Sequence, residues 1–216
     1  MPHIVHFQPY NIMSKLPFII MLALLLTGCL ELEQKIVVAA DGSAVFTYIY
    51  DIPNENLPVV EGYFAALTPA DNSFLSEAAV KKFYNRPQDG IELRGYKRTT
   101  KNNRTMIQII VLTRNLEKAL KTDCFPSIAF TKAAENTPNR LELKFPAPPE
   151  DASDEEIAQI AGLCKGLKLS CELQVPSAIK NTIGHKRTPR SAIWRFSADN
   201  AAAPIFKTLP PVYVEW

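Results

Sequence analysis

Histidine is scarce and poorly placed for catalysis. The 216-residue chain holds three, at His3, His6 and His185. The first two fall within residues 1–28, a segment expected, on grounds given below, to be absent from the mature chain, so Ser-His-acid or Cys-His chemistry would have to use His185, alone in a basic loop. No G-x-S-x-G, H-E-x-x-H, P-loop or C-x-x-C spacing occurs anywhere. These absences leave no catalytic residue, metal site or cofactor to expect. Glycine is also sparse, 8 against 17 prolines, which favours punctuated β structure over long helices. The net charge of +2 generates no field that would draw nucleic acid. No apolar run reaches the roughly 20 residues that a membrane helix needs.

One shorter apolar run is present, over residues 16–26. Lys15 precedes it and Leu26-Thr27-Gly28-Cys29 closes it. A secretory signal needs a positive start, an apolar segment of about 7–15 residues and small residues before the cut. All three are in place, and Glu31 and Glu33 then prevent a stop-transfer helix. The four closing residues resemble a bacterial lipobox. That resemblance implies cleavage between Gly28 and Cys29, a diacylglyceryl thioether on Cys29 and usually a further N-acyl chain. Each buried CH2 is worth about 0.8 kcal/mol, so two or three long chains hold a protein on a bilayer almost permanently. Residues 1–28 are therefore expected to be a lipoprotein signal peptide, with translation starting at Met13 as an alternative to Met1.

Cleavage leaves 188 of the 216 residues and a net charge of +1, because the leader carries only Lys15. That length suits one domain, expected over residues 29–200, followed by a Pro-punctuated tail over 201–216. Residues 31–38 and 44–50 alternate apolar side chains around Asp41-Gly42, a strong hairpin signal. A helix is expected over 73–84, with Leu75, Ala79 and Phe83 as its stripe. A second hairpin follows over 91–98 and 104–112, then a short helical turn capped by Asn115. Strands are expected around 125–130 and 141–145. Ser153 with Glu156 has capping-box spacing and predicts a second full helix ending at Gly166. Residues 169–175 alternate cleanly, residues 192–196 supply another strand, and Val212, Val214 and Trp216 suit an edge strand. The order ββ-α-ββ-ββ-α-ββ predicts an α+β fold: a mainly antiparallel sheet built from hairpins, with two helices packed on one face. With Cys29 acylated, Cys124, Cys164 and Cys171 remain. Either Cys164 pairs with Cys171, or all three are buried thiols that behave as small hydrophobes.

Several short segments together resemble the LppM-like domain of bacterial lipoproteins. They are Gly28-Cys29-Leu30-Glu31 with Asp41-Gly42-Ser43, Lys165-Gly166-Leu167-Lys168-Leu169 running to Val175-Pro176, and Asn181-Thr182-Ile183-Gly184 with Trp194. Ser177 stands where the pattern has glycine. The resemblance covers most of the mature chain. It implies an exported α+β domain and, through one branch of the family, binding of lipids or glycolipids. It supplies no catalytic residue.

Basic residues crowd two expected hairpin tips: Lys97, Arg98, Lys101 and Arg104 at the first, and Lys180, His185, Lys186, Arg187 and Arg190 at the second. Polar turns collect lysine for solvation alone. The sharper expectation is an anionic contact with lipid phosphate or glycolipid. The function expected is a non-enzymatic, lipid-anchored envelope protein that meets the membrane through acyl chains on Cys29. It would bind a lipid, a glycolipid or an envelope protein. The alternative is a structural or assembly accessory of an envelope complex. Leu30, rather than Asp, follows Cys29, which by the sorting habit of some Gram-negative bacteria favours the outer membrane, on its periplasmic or surface face.

Overall fold

The computed structural model describes residues 30–58, 61, 75–135, 137–144, 166–197 and 212–216. The first hairpin pairs β1 (Glu31–Val38) with β2 (Ala44–Pro53), antiparallel from Glu31 with Asp51 to Val38 with Ala44. Its turn works as the sequence suggests. Gly42 takes a φ of 83°, open only to a residue without a Cβ, and the Ser43 amide and hydroxyl donate to Asp41 Oδ1 at 2.9 and 2.7 Å. The second hairpin, β3 (Ile91–Lys101) with β4 (Arg104–Thr113), turns through Asn102 and Asn103 at φ of 51° and 57°. That is the left-handed pair a two-residue hairpin needs, and asparagine tolerates it. Thr99 and Thr100 continue the ladder, so β3 runs three residues past its expected end.

Between the hairpins lies α1 (Glu77–Tyr84), capped by Ser76, whose Oγ accepts from the Ala79 amide. Its first turn starts at Glu77, later than expected, because Ser76 takes an extended conformation and caps it. Leu75, Ala79, Val80 and Tyr84 are buried, while Phe83 is only half-buried. The short α2 (Leu116–Ala119) has the expected Asn115 cap. The helix expected from Ser153 lies outside the described residues.

The remaining strands are β5 (Ile128–Thr131), β6 (Arg140–Leu143), β7 (Lys168–Gln174), β8 (Asn181–Thr182), β9 (His185–Thr188), β10 (Ser191–Ser197) and β11 (Val212–Glu215). They complete two sheets, β3-β4-β2-β1-β7-β10-β9 and β5-β6-β11-β8. Every pairing is antiparallel except β1 with β7, so the α+β class and its antiparallel bias are as expected. Alternate residues of the large sheet, among them Ile36, Phe46, Ile109 and Leu173, form one hydrophobic cluster with α1, α2 and the small sheet. The Phe46 and Phe125 rings stack at 4.3 Å near its centre.

Two expectations are corrected. The last strand, β11, lies between β6 and β8 instead of at an edge, with Val212 and Val214 fully buried. The basic stretch 185–188 is the edge strand β9, not a loop. Its side chains are polar because it pairs on one side only, so no apolar alternation marks it.

The motif 181–184 is the crossing between the sheets. Thr182 Oγ1 donates to the Tyr213 carbonyl at 2.8 Å in the small sheet. Two residues later the chain joins the large sheet. Gly184 passes so close over the buried Trp194 indole that a Cβ there would lie 2.4 Å from the ring. Gly184→Ala should force the indole or the crossing to shift and cost about 1–3 kcal/mol, the usual penalty of overpacking. A urea midpoint equal to that of the parent would refute this account of the glycine.

Candidate functional site

A partly open cleft of about 340 Å³ lies where the β1–β2 turn, the start of α2 and the small sheet meet. Hydrogen bonds between distant segments fix its walls. The Leu116 amide donates to the Gly42 carbonyl at 2.9 Å, which ties the Asp-Gly turn to the α2 cap. Asn139 and Trp216 exchange both backbone hydrogen bonds, at 3.1 and 3.0 Å, and Asn139 Oδ1 accepts from the Ala133 amide. Phe130 stacks on Trp216 at 5.9 Å and gives the cleft an aromatic floor. Asp41, Glu117, Lys132, Asn115 and Asn139 bring polar groups to its lining. The Ser43 hydroxyl, and then the Ser43 amide, hold the Asp41 carboxyl below the usual carboxylate range, so it is ionised at neutral pH.

An apolar floor with a few polar groups is the composition of a small-ligand site, and the volume lies at the lower end of that range. The described lining contains two carboxylates, a lysine and two amides, but no histidine, cysteine or serine. Recognition by hydrogen bonds and charge is the chemistry this set can supply. Sequence reasoning identified Asp41-Gly42 only as a turn. Lys132, Asn139 and Trp216 carry no local signal, because separate segments bring them together.

No family model and no curated protein matches the chain. Among solved structures, the NMR structure of the Mycobacterium tuberculosis LppM folded domain resembles it, with a TM-score of 0.45 and 10% identity. The likeness covers 87% of this chain and 90% of that domain. At that level it carries nothing about ligand or activity.

The first basic cluster lies at the β3–β4 edge of the large sheet and most of the second at its β9 edge, with five strands between β3 and β9, while Lys180 leads into β8 of the small sheet. Lys97, Arg98 and Lys101 lie on β3, and Arg104 opens β4. Arg98 pairs with Glu61 at 3.4 Å and Arg104 with Asp51 at 2.8 Å. At the other edge Arg187 pairs with Glu172 at 3.1 Å, and the Arg190 guanidinium donates to the Pro176 carbonyl beside the cleft at 3.4 Å. Lys180 and His185 are exposed, on β8's approach and on β9; Lys186 shares β9. Lysine and arginine on an exposed edge discourage pairing with a second chain. That accounts for much of the clustering, and the register shift between Leu93 and Gly95 in β3 acts the same way.

Gly28, Cys29 and Cys164 lie outside the described residues. Cys171, the partner expected for Cys164, is a buried free cysteine here, as is Cys124. Burial pushes the Cys171 thiol up to about 12, helped by the neighbouring Glu172 charge. Burial also raises Cys124, whose thiol donates to the Phe83 carbonyl at 3.4 Å. Thiolate is the reactive form. Peptide mapping after alkylation at pH 8 should therefore find both unmodified in the native protein and both modified in urea. Rapid native labelling of Cys171 would contradict its placement.

Among the described residues no His, Cys, Asp and Glu cluster suits a metal ion, and no helix is long and apolar enough to cross a membrane.

Proposed function

We propose that this chain is a lipid-anchored cell-envelope protein that binds rather than catalyses, with the cleft beside Trp216 as its recognition site. One observation carries the anchor. Leu30, the residue after the lipobox cysteine, is only 1% exposed and belongs to the hydrophobic core. The described core thus reaches back to within one residue of Cys29, which agrees with a mature chain that starts there and enters the fold without a linker. Exported and acylated there, the protein sits on a membrane, the outer membrane where Leu30 directs sorting as in some Gram-negative bacteria. The ligand that suits the cleft is a polar headgroup, of a lipid or glycolipid, small enough for about 340 Å³ and able to use the Lys132 and Asn139 side chains.

The test is mass spectrometry of lipids that co-purify with detergent-extracted protein, compared between the parent and Lys132→Glu. Lys132 is exposed, so the variant should fold normally. A bound lipid species depleted several-fold in the variant is expected. Equal lipid content in the two proteins would reject the cleft as the site.

A further inference from the structure

We infer that the end of the large sheet carrying Leu30 and the β3–β4 tip rests on the membrane headgroups, and that the cleft stands at the opposite end, turned to the aqueous side. The inference rests on the acylated Cys29 proposed above.

Register gives the geometry. Glu31 is level with Asp51, Met106 and Thr99 on one side and with Lys168 and Ser197 on the other. Past that level the β3–β4 hairpin continues through Arg104, opposite Pro53 and Lys101, to Asn102 and Asn103. At about 3.4 Å per residue the tip projects roughly 7–10 Å beyond Glu31. Cys29 is two residues before Glu31, so it reaches at most about 7 Å in the same direction. The Leu30 carbonyl accepts from the Lys168 amide at 3.0 Å, which keeps the chain in line with β1 up to that point. Consecutive Cα atoms are about 3.8 Å apart, so the acylated residue has no tether that would let the domain rise from the surface. The tip lies two to three strands from β1, about 10–14 Å, so an anchor within that reach of Glu31 stands on the same end of the sheet as the tip.

The surface at this end suits a headgroup layer. Lys101, Asn102 and Asn103 are exposed, and Met106 is a 42%-exposed apolar side chain on the Glu31 level. Among the described residues, three cations at this end are paired: Arg104 with Asp51, Lys168 with Glu31 at 3.0 Å, and Arg98 with Glu61. Contact is therefore imposed by the anchor's position and does not depend on net charge. At the other end Val38 and the Asp41-Gly42 turn line the cleft, a β1 length away, or about 25 Å.

The experiment uses the full-length acylated protein in phosphatidylcholine–phosphatidylglycerol vesicles containing a headgroup nitroxide lipid. A fluorophore is placed by Lys101→Cys or by Ala40→Cys, both exposed positions, with the parent protein as the labelling control. Quenching several-fold stronger at position 101 than at position 40, and unchanged in high salt, is the expected result. Equal quenching, or stronger quenching at position 40, in protein whose intact mass shows acylation overturns the orientation while leaving the anchor standing. Protein that lacks the acyl mass and stays off the vesicles overturns both.

Discussion

Cells expressing Cys29→Ser are expected to incorporate no labelled palmitate into this protein, whereas the parent is labelled and stays with the membrane. Serine cannot form the thioether, and in the function proposed here the fatty chains are the whole of the anchor. At about 0.8 kcal/mol per buried CH2, losing even two long chains removes the free energy that makes attachment effectively irreversible. The fold should survive. Among the described residues the core starts at Leu30, and the strand start is held by Leu30 and Glu31 through the Lys168 amide and ammonium. A urea midpoint close to that of the parent, measured on protein freed of its leader, separates loss of anchoring from loss of structure. Label persisting in Cys29→Ser would place the modification elsewhere.

Deletion of residues 212–216 is expected to abolish the folded state. By sequence this is the end of a Pro-punctuated tail; in the structure it is an interior strand. Val212 and Val214 are fully buried and Trp216 is 6% exposed. β11 supplies the neighbour for both β6 and β8. Without it the Lys180 amide loses the Glu215 carbonyl and Asn139 loses both bonds to Trp216. Arg140 loses its 2.9 Å pairing with Glu215 and the Tyr213 ring 3.8 Å beneath its guanidinium. Trp216→Ala alone should cost about 3–5 kcal/mol, the usual price of a buried aromatic, against a total of about 5–15 kcal/mol for a domain. Near-UV circular dichroism of the truncated chain should show no fixed aromatic environment. A cooperative unfolding transition at the parent's midpoint would contradict the position given to β11.

What the sequence made legible were the features set by neighbours in the chain. Asp41-Gly42 fixed one hairpin and the alternation in 169–175 marked β7, whereas the first strand of the other hairpin was expected to end at Arg98, and the turn pair Asn102-Asn103 emerged only in the structure. The pairing of β1 with β7 joins residues more than 130 positions apart, and no local pattern encodes it. The division into two sheets turns on Gly184 crossing Trp194, a steric fact visible only once both are placed. Edge strand β9 was hidden by its own polarity, and β11 was legible as a strand but not as an interior one, because its two neighbours are distant in sequence. The basic residues expected at two hairpin tips lie mostly along the margins of the large sheet, and three of them pair with Glu61, Asp51 and Glu172. The cleft was out of reach for another reason. Its walls come from the β1–β2 turn, the α2 cap, the β5–β6 pair and the final tryptophan, and each is unremarkable alone.

The measurement that bears most directly on this account is the intact mass of the protein extracted from its native membrane. The mass predicted is that of residues 29–216 plus a diacylglyceryl group, with or without an N-acyl chain, and fragmentation should place the addition on Cys29. A chain that retains residues before Cys29, or begins there with an unmodified thiol, would contradict it.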